Sequence, residues 1–546
     1  MLPGKIPGAV AFPATGALPG AVAALLVVAV VAGAFGALMA AAAPGPWAAL
    51  QAELANPLTR AIIRFTVLQA ALSTLLSIAL AVPLSRALAR RARFRGRGLL
   101  LRLTSVSFVI PSMVAALGMV AVHGRGGWVN DLRAAAGLAR ADYLYGLTGI
   151  LLAHGFFNLP LATRIFLNEL LTVPQSHWQQ ARLCGLRPRH IFRRIDWPLL
   201  RGVMPGTAGM IFLLCFTSFA IVLTLGGGPQ SATLEVAIYQ AVRFDFDLPK
   251  AVALSLLQLA LCGALAVVFF AFGGAAFPLR AGDAPGLLRP DADAPATRII
   301  DFTVITAAAL FLTSPLAASV ARALAPAGWA LLADAAFWRA LKWTVVIAAG
   351  AGVLAVALAL ALADLTVTLR AGRRSRWRAL GPEVISVLTL IAPPITLGAG
   401  LFLLFRRFTD ALSLGPALVV ALNALLALAF ATRILTPALH AQRRRSDALC
   451  ACLGIRGWHR WRWILWPGLR APVAYALAVA VALAAGDMGV IALFGTDQLA
   501  TLPLLIYRLL GAYRVEQAAV AAAVLCMLCA GIFIAMERFG GRPARA

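Results

Sequence analysis

Long apolar runs, separated by short polar loops, alternate along this chain from end to end. Twelve can be drawn, at roughly 21–43, 61–88, 99–122, 148–169, 204–225 and 250–273, then at roughly 299–318, 339–366, 381–405, 413–437, 471–494 and 515–536. Each is close to the ~20 residues a helix needs to cross a bilayer. A spanning segment must satisfy its own backbone, and uninterrupted apolar runs do so as helices rather than as barrel strands. The pattern therefore predicts an all-α integral membrane protein with about twelve transmembrane helices. The first run, Ala21–Ala43, is longer than the ~7–15 apolar residues of a cleaved signal, and is read as an uncleaved span.

The loops orient the spans. One holds Arg90, Arg91, Arg93, Arg95, Arg97 and Arg102, another Arg370, Arg373, Arg374, Arg376 and Arg378, and neither contains an acid. The alternate loops are mixed, with Asp131 and Asp142 beside Arg133 and Arg140, and Asp245 and Asp247 beside Arg243. Arginine excess marks the cytoplasmic side, which places both termini there. The Pro-, Gly- and Asp-rich stretch Leu279–Thr297 breaks the apolar pattern and reads as a cytoplasmic linker between halves. The organisation expected is an N-terminal segment with the first span (1–55), a first permease-like unit (56–278) and the linker (279–298). A seventh span with its outer loop (299–335), a second unit (336–537) and a tail (538–546) follow. With six spans per half, both halves share one orientation, a parallel repeat about an axis along the membrane normal.

A repeat supports that division. Gln179–Leu200, QQARLCGLRPRHIFRRIDWPLL, returns as ALCACLGIRGWHRWRWILWPGL at Ala448–Leu469. Gly185 pairs with Gly454, Ile195 with Ile464 and Trp197-Pro198 with Trp466-Pro467, at an offset of 269 residues. Ala162–Ile165 recurs as Ala431–Ile434, and Thr233-Leu234 and Ile238-Tyr239 recur as Thr501-Leu502 and Ile506-Tyr507. Registered matches at one long period mark internal duplication. Within the loop, Ser176–Cys184 fits a short helix stopped by Gly185, a residue suited to a left-handed C-cap. Pro188 fits the first position of a second short helix. Helix, Gly, helix, Pro makes an elbow across the cytoplasmic ends of the bundle, suited to docking on a cytoplasmic partner.

Composition narrows the function classes. The chain is 61% hydrophobic and 13% charged, with a mean hydropathy of +0.87, against about 25% charged residues in soluble domains. The +27 charge is carried by arginine, since Lys stands only at 5, 250 and 342. Because the arginines lie in short loops rather than a basic soluble domain, membrane orientation explains them and nucleic acid is not an expected partner. The seven cysteines fall in apolar runs or Arg-rich loops and suggest no disulfide framework. No Gly-x-x-x-x-Gly-Lys-Ser/Thr phosphate loop is present, and no nucleophile–base or metal-ligand cluster stands out, so catalytic residues and a metal site are not expected.

Asp487 is the sharpest single residue. It lies about 16 positions into its run, ~24 Å along a helix. An acid at a helix centre costs ~2.5–3.5 kcal/mol on insertion scales, so it should face the bundle interior or a wet cavity. Its alternatives are a substrate cation or a structural partner such as Arg or backbone. Asn158, Tyr239 and Tyr507 join it as candidates for a substrate path. Interhelical hydrogen bonding is the plainer role for Asn158, His154 and Asn423, and interface anchoring for aromatic residues near span ends.

The duplicated loop resembles that of bacterial ABC-importer permeases, which read Glu-Ala-Ala, three residues, Gly, nine residues, Ile-x-Leu-Pro. Gly185, Ile195 and Pro198 match, as do Gly454, Ile464 and Pro467; Leu186 and Ile455 follow the glycines. The Leu before Pro is Trp197 and Trp466. The Glu-Ala-Ala positions hold Gln179-Gln180-Ala181 and Ala448-Leu449-Cys450, keeping only Ala181, with Asp447 one position away. Among these permeases the fused two-half form resembles the thiamine (and thiamine pyrophosphate) importers, through Asn158–Arg164, Phe216–Ala220, Leu225–Gln230, Glu235–Gln240, Leu453–Trp458 and Gly486–Gly495. The resemblance implies the type I importer fold in a bacterial inner membrane. It implies thiamine delivered by a periplasmic binding protein. Two copies of a separate ATPase subunit would engage the two loops and carry the ATP and Mg, with no cofactor on this chain. Fused ferric-iron importer permeases look similar at the coarser level. An ion-coupled secondary transporter is the rival class, and would be expected to show inverted repeats and several midplane acids.

Overall fold

The computed structural model describes residues 17–41, 45–106, 110–272, 289–371, 381–382, 384–386, 388–389, 392–406 and 414–540. The expectations for residues 1–16, for linker residues 279–288, for Arg373, Arg374, Arg376 and Arg378, and for the tail 541–546 lie outside these. Among the described residues, regular structure is helical throughout, and ten helices are long and apolar enough to cross a membrane. The two remaining positions hold shorter helices: Arg97–Val106 and Ser112–His123 in the first half, Pro394–Phe405 in the second. Pro111 and Pro393 stand immediately before Ser112 and Pro394, and proline supplies no N–H to continue a preceding helix.

The inside of the bundle is chosen by polarity as much as by apolar packing. On Pro57–Arg90 the buried stripe is Thr59, Ile62, Thr66, Gln69, Ala70, Ser73, Ser77 and Ala81, a three-to-four-residue rhythm that defines one helix face. Leu58, Leu68, Leu75 and Leu76 are exposed on the other side. Lipid is as apolar as leucine, so leucine gains little by leaving it, whereas small and polar residues gain packing and hydrogen bonds by turning inward. Gln69 donates to the Cys215 carbonyl (2.9 Å) and Ser73 meets His154 Nδ1 (2.9 Å), tying this helix to Trp197–Phe216 and Leu147–Leu170.

The halves repeat each other in detail. Leu234–Arg243 follows a bend in the first half and Leu502–Gly511 follows one in the second. The N–H of Leu234 donates to Thr66 Oγ1 (3.1 Å), and that of Leu502 to Thr344 Oγ1 (2.8 Å). Each threonine thus satisfies an orphan donor at a helix start from a neighbouring helix. The runs read as spans 204–225 and 471–494 are bent. Trp197–Phe216 gives way to Ala220–Leu225, and Trp466–Ala485 to Gly489–Phe494.

The first helix of each half packs on the other half. Ala17–Ala41 lies against Pro394–Phe405 and Ala335–Ala371, while Pro295–Ala323 lies against Ser112–His123 and Pro57–Arg90. Glycine permits both crossings. A Cβ on Gly400 would stand 2.4 Å from the Ala34 carbonyl oxygen, and one on Gly118 2.6 Å from that of Pro315.

Candidate functional site

Two places concentrate chemistry: the duplicated elbows, and a cavity where the halves meet. In the first elbow, Gln175–Leu183 ends at Gly185, whose φ of +60° is left-handed. The N–H of Gly185 donates to Arg182 O (3.1 Å) and that of Leu186 to Ala181 O (3.0 Å), closing the helix with the carbonyl satisfaction of a C-cap. Pro188–Ile191 follows, with its proline at the helix start, then a π-helical turn over Phe192–Asp196, then Trp197–Phe216. The second elbow reproduces this backbone. Gly454 has φ +65°, its N–H donates to Ala451 O (3.3 Å) and that of Ile455 to Cys450 O (3.0 Å). Gly457–Arg460, a π turn over Trp461–Leu465 and Trp466–Ala485 follow.

Of the residues picked out by sequence, Gln179, Gln180, Gly185 and Pro198 are exposed, as are Ala448, Gly454 and Pro467. Ala181 is buried, and Leu186, Ile195, Ile455, Ile464 and Asp447 are half-buried. The exposed members lie on the outer surface of the elbows, and the others turn toward the bundle. Trp178, Ile191 and Val173 form a small apolar core beneath the first elbow, joined by Leu186 and Ile195.

That elbow also rests on a buried ionic network that the loop motif does not announce. Arg289, at the end of the linker and 1% exposed, donates through Nη2 to both oxygens of Asp196 (3.0 and 2.9 Å) and through Nε to Asp291 (3.0 Å). Its guanidinium lies 4.3 Å from the centre of the Trp178 ring. Arg86 Nε reaches Asp196 (2.8 Å), and Arg90 and Arg91 hold Asp301 (Nε donors at 3.1 and 2.9 Å). Burial opposes ionisation of Asp291, but the charges of Arg289 and Arg90 outweigh it and keep its carboxyl below the usual carboxylate range. The end of the linker is therefore docked rather than loose, and the next helix begins at Pro295, earlier than the apolar run suggests. The only sequence signal for this network is acids standing near arginine-rich segments: Asp196, Asp291 and Asp301.

The cavity has two adjoining lobes of about 220 Å³ each, sharing Ser112, Ser218, Ile221 and Gly486. Both halves contribute: His154, Asn158, Thr217 and Glu235 from the first, Pro394, Ile395, Ala482 and Asp487 from the second. Among the described residues the lining contains two carboxylates, Glu235 and Asp487, and neither Lys nor Arg. Asp487 is half-exposed to it, and its oxygens accept from the N–H groups of Gly489 (3.2 Å) and Val490 (3.1 Å) at the start of Gly489–Phe494. Asn423 lies within hydrogen-bonding reach. Asp487 thus faces the cavity and also meets the backbone partner that the sequence left open. Asn158 Nδ2 approaches Cys215 Sγ (3.1 Å). Tyr239 packs edge-on against Phe219 and Phe244, and neither it nor Tyr507 is in this lining. Among the described residues no group of three or more His, Cys, Asp or Glu could hold a metal ion.

A family model described as binding-protein-dependent transport system inner membrane component matches residues 81–272. Relatives named thiamine transport system permease protein match along most of the chain. That of Brucella melitensis is 40% identical over 486 residues, 87% of each chain, and that of Escherichia coli K12 is 40% identical over 484 residues, 89% of this chain and 90% of its own. The Haemophilus influenzae protein is 37% identical over 480 residues, 86% of this chain and 87% of its own. The match runs along most of the length of this chain and of these relatives, and the chain belongs to their family, the inner-membrane permease subunits of binding-protein-dependent ABC importers.

Proposed function

We propose that this chain carries thiamine across the inner membrane through the cavity between its halves, delivered by a periplasmic thiamine-binding protein. Two copies of a separate ATPase subunit would dock on the elbows, and ATP and Mg would be bound and turned over there. Both termini and both elbows would lie in the cytoplasm. The observation that carries the reading is the lining of the cavity, where Asp487 is partly exposed and Glu235 lies buried at the wall, with no balancing Lys or Arg among the described lining residues. An acid in a bilayer is costly unless it meets a partner or a wet path, and thiamine brings a permanently positive thiazolium. The partly exposed Asp487 supplies that field even while two backbone N–H groups anchor it. The names of the relatives point to the same substrate.

The test is ATP-dependent uptake of labelled thiamine into proteoliposomes holding this chain, its ATPase and its binding protein. Uptake that needs all three parts is the expected result. Stimulation by a binding protein loaded with ferric iron but not with thiamine would keep the architecture and change the substrate. Uptake driven by an ion gradient without the ATPase would overturn the coupling role of the elbows.

A further inference from the structure

At the cavity wall around Glu235 the two halves stop matching. In the first half, Glu235, Ser255 and Gln258 are fully buried on Leu234–Arg243 and Leu248–Phe272. The register of the second half is fixed by the left-handed residues Phe246 and Tyr513, which precede the last helix of each half. Ser255 and Gln258, nine and twelve residues after Phe246, correspond to Ala522 and Leu525 after Tyr513. Cys262 then falls on Cys529, both buried, and Glu235, two residues after Thr233, falls on Pro503, two after Thr501. One half carries an acid, an amide and a hydroxyl where the other carries Pro, Leu and Ala.

These polar groups are not consumed by the fold. Gln258 Nε2 donates to Glu235 Oε1 (3.0 Å), but Glu235 Oε2, Gln258 Oε1 and Ser255 Oγ are buried with no hydrogen-bond partner among the described residues. An unpartnered buried polar atom costs about 1–3 kcal/mol, and more when charged, and the second half shows that the same fold closes over apolar side chains here. The unused atoms are two acceptors and a hydroxyl, beside a cavity whose other carboxylate, Asp487, is tied to backbone. A ligand that fits them bears N–H donors and positive charge.

We infer that Glu235, oriented by Gln258, is the residue that receives the donor-bearing cationic substrate in transit, while Asp487 fixes the bend of its own half. This inference rests on the thiamine reading, since thiamine offers an exocyclic amine on its pyrimidine beside the thiazolium. Glu235 borders the cavity with its carboxyl buried, so in this proposal relative movement of the halves opens it to the path.

The experiment compares wild type, Glu235→Gln, Glu235→Asp and the double variant Ser255→Ala/Gln258→Leu in the reconstituted system, reading labelled thiamine imported per ATP hydrolysed. The expected result is a fall of at least tenfold in that ratio for Glu235→Gln, partial retention in Glu235→Asp, and an intermediate fall in the double variant. A glutamic acid serving only as a buried hydrogen-bonding strut would be replaced by glutamine without loss, so an undiminished ratio in Glu235→Gln overturns the inference. Should that variant insert poorly, the double variant decides, because it installs residues around which the second half already folds. Wild type that imports no thiamine overturns the substrate reading and this inference together. Wild-type import with an unchanged ratio in the variants overturns this one alone.

Discussion

At the first elbow, Asp196 closes the π turn and takes two arginines, Arg86 from the bundle and Arg289 from the linker. At the same place in the second elbow stands Leu465, buried in an apolar cluster with Leu469 and Leu439. The first elbow helix is a separate piece, cut from its span at Pro174. The second is the end of one continuous helix, Gly415–Cys452, steadied by Arg443 bonding Asp364 and Thr368 and by Arg460 paired with Asp447. Gln442 Nε2 also donates to the Ile464 carbonyl (3.0 Å). Duplication thus kept the backbone of the elbow and let its attachment diverge: one is clamped by buried charge and the linker, the other is a stiff extension of its own span.

The largest expected effect comes from removing the clamp. Asp196→Ala leaves Arg289 and Arg86 facing a gap, and breaking a buried pair costs about 3–5 kcal/mol. In the second elbow, Asp447→Ala removes an ion pair whose aspartate side chain is 35% exposed, and should cost about 1 kcal/mol or less. Thermal unfolding of the two variants, with protease cleavage mapped at each elbow, checks this; equal losses would erase the distinction. Next come Gly185→Ala and Gly454→Ala. An added Cβ meets nothing within 4 Å at either site, so the whole cost is the left-handed backbone, about 1–2 kcal/mol at each. Equal destabilisation is expected, and inequality would show that the attachments strain the turns differently.

The smallest effect is in acid. Asp291 has a folded pKa below its ordinary value of 3.8, so the stability it lends is whole above that value and is lost only as pH falls through the lower folded one. Pepsin digestion on a descending pH series should therefore leave the first elbow protected through the ordinary carboxylate range. Cleavage there at about pH 5 would break the argument.

What the sequence disclosed follows from how local each feature is. Gly185 and Gly454 speak for themselves, because a left-handed stop is a property of one residue, and Trp-Pro marks the next helix start just as locally. The spans were legible for the same reason, since hydropathy is summed along a single segment. The brace was not: Asp196 and Arg289 are 93 residues apart, and in arginine-rich loops each arginine resembles its neighbours. Bends at Thr217–Phe219 and Gly486–Met488 escaped a hydropathy window because the residues on either side are equally apolar. Glu235 lies inside Glu235–Gln240, a stretch shared with the importer permeases, but its unused oxygen exists only once Leu248–Phe272 has packed against it.

The exchanged first helices bear on how the protein is made. Ala17–Ala41 is synthesised about 350 residues before Pro394–Phe405, the helix it crosses at Gly400. At ~5–20 residues per second of translation that is an interval of roughly 20–70 s. Throughout it, the first helix must wait in the bilayer with lipid on the face that will later hold Ala34 against glycine. Its weakly polarised, almost wholly apolar sequence, from Leu18 to Leu38, is suited to that wait, because no buried polar group is left unmatched before the second half arrives.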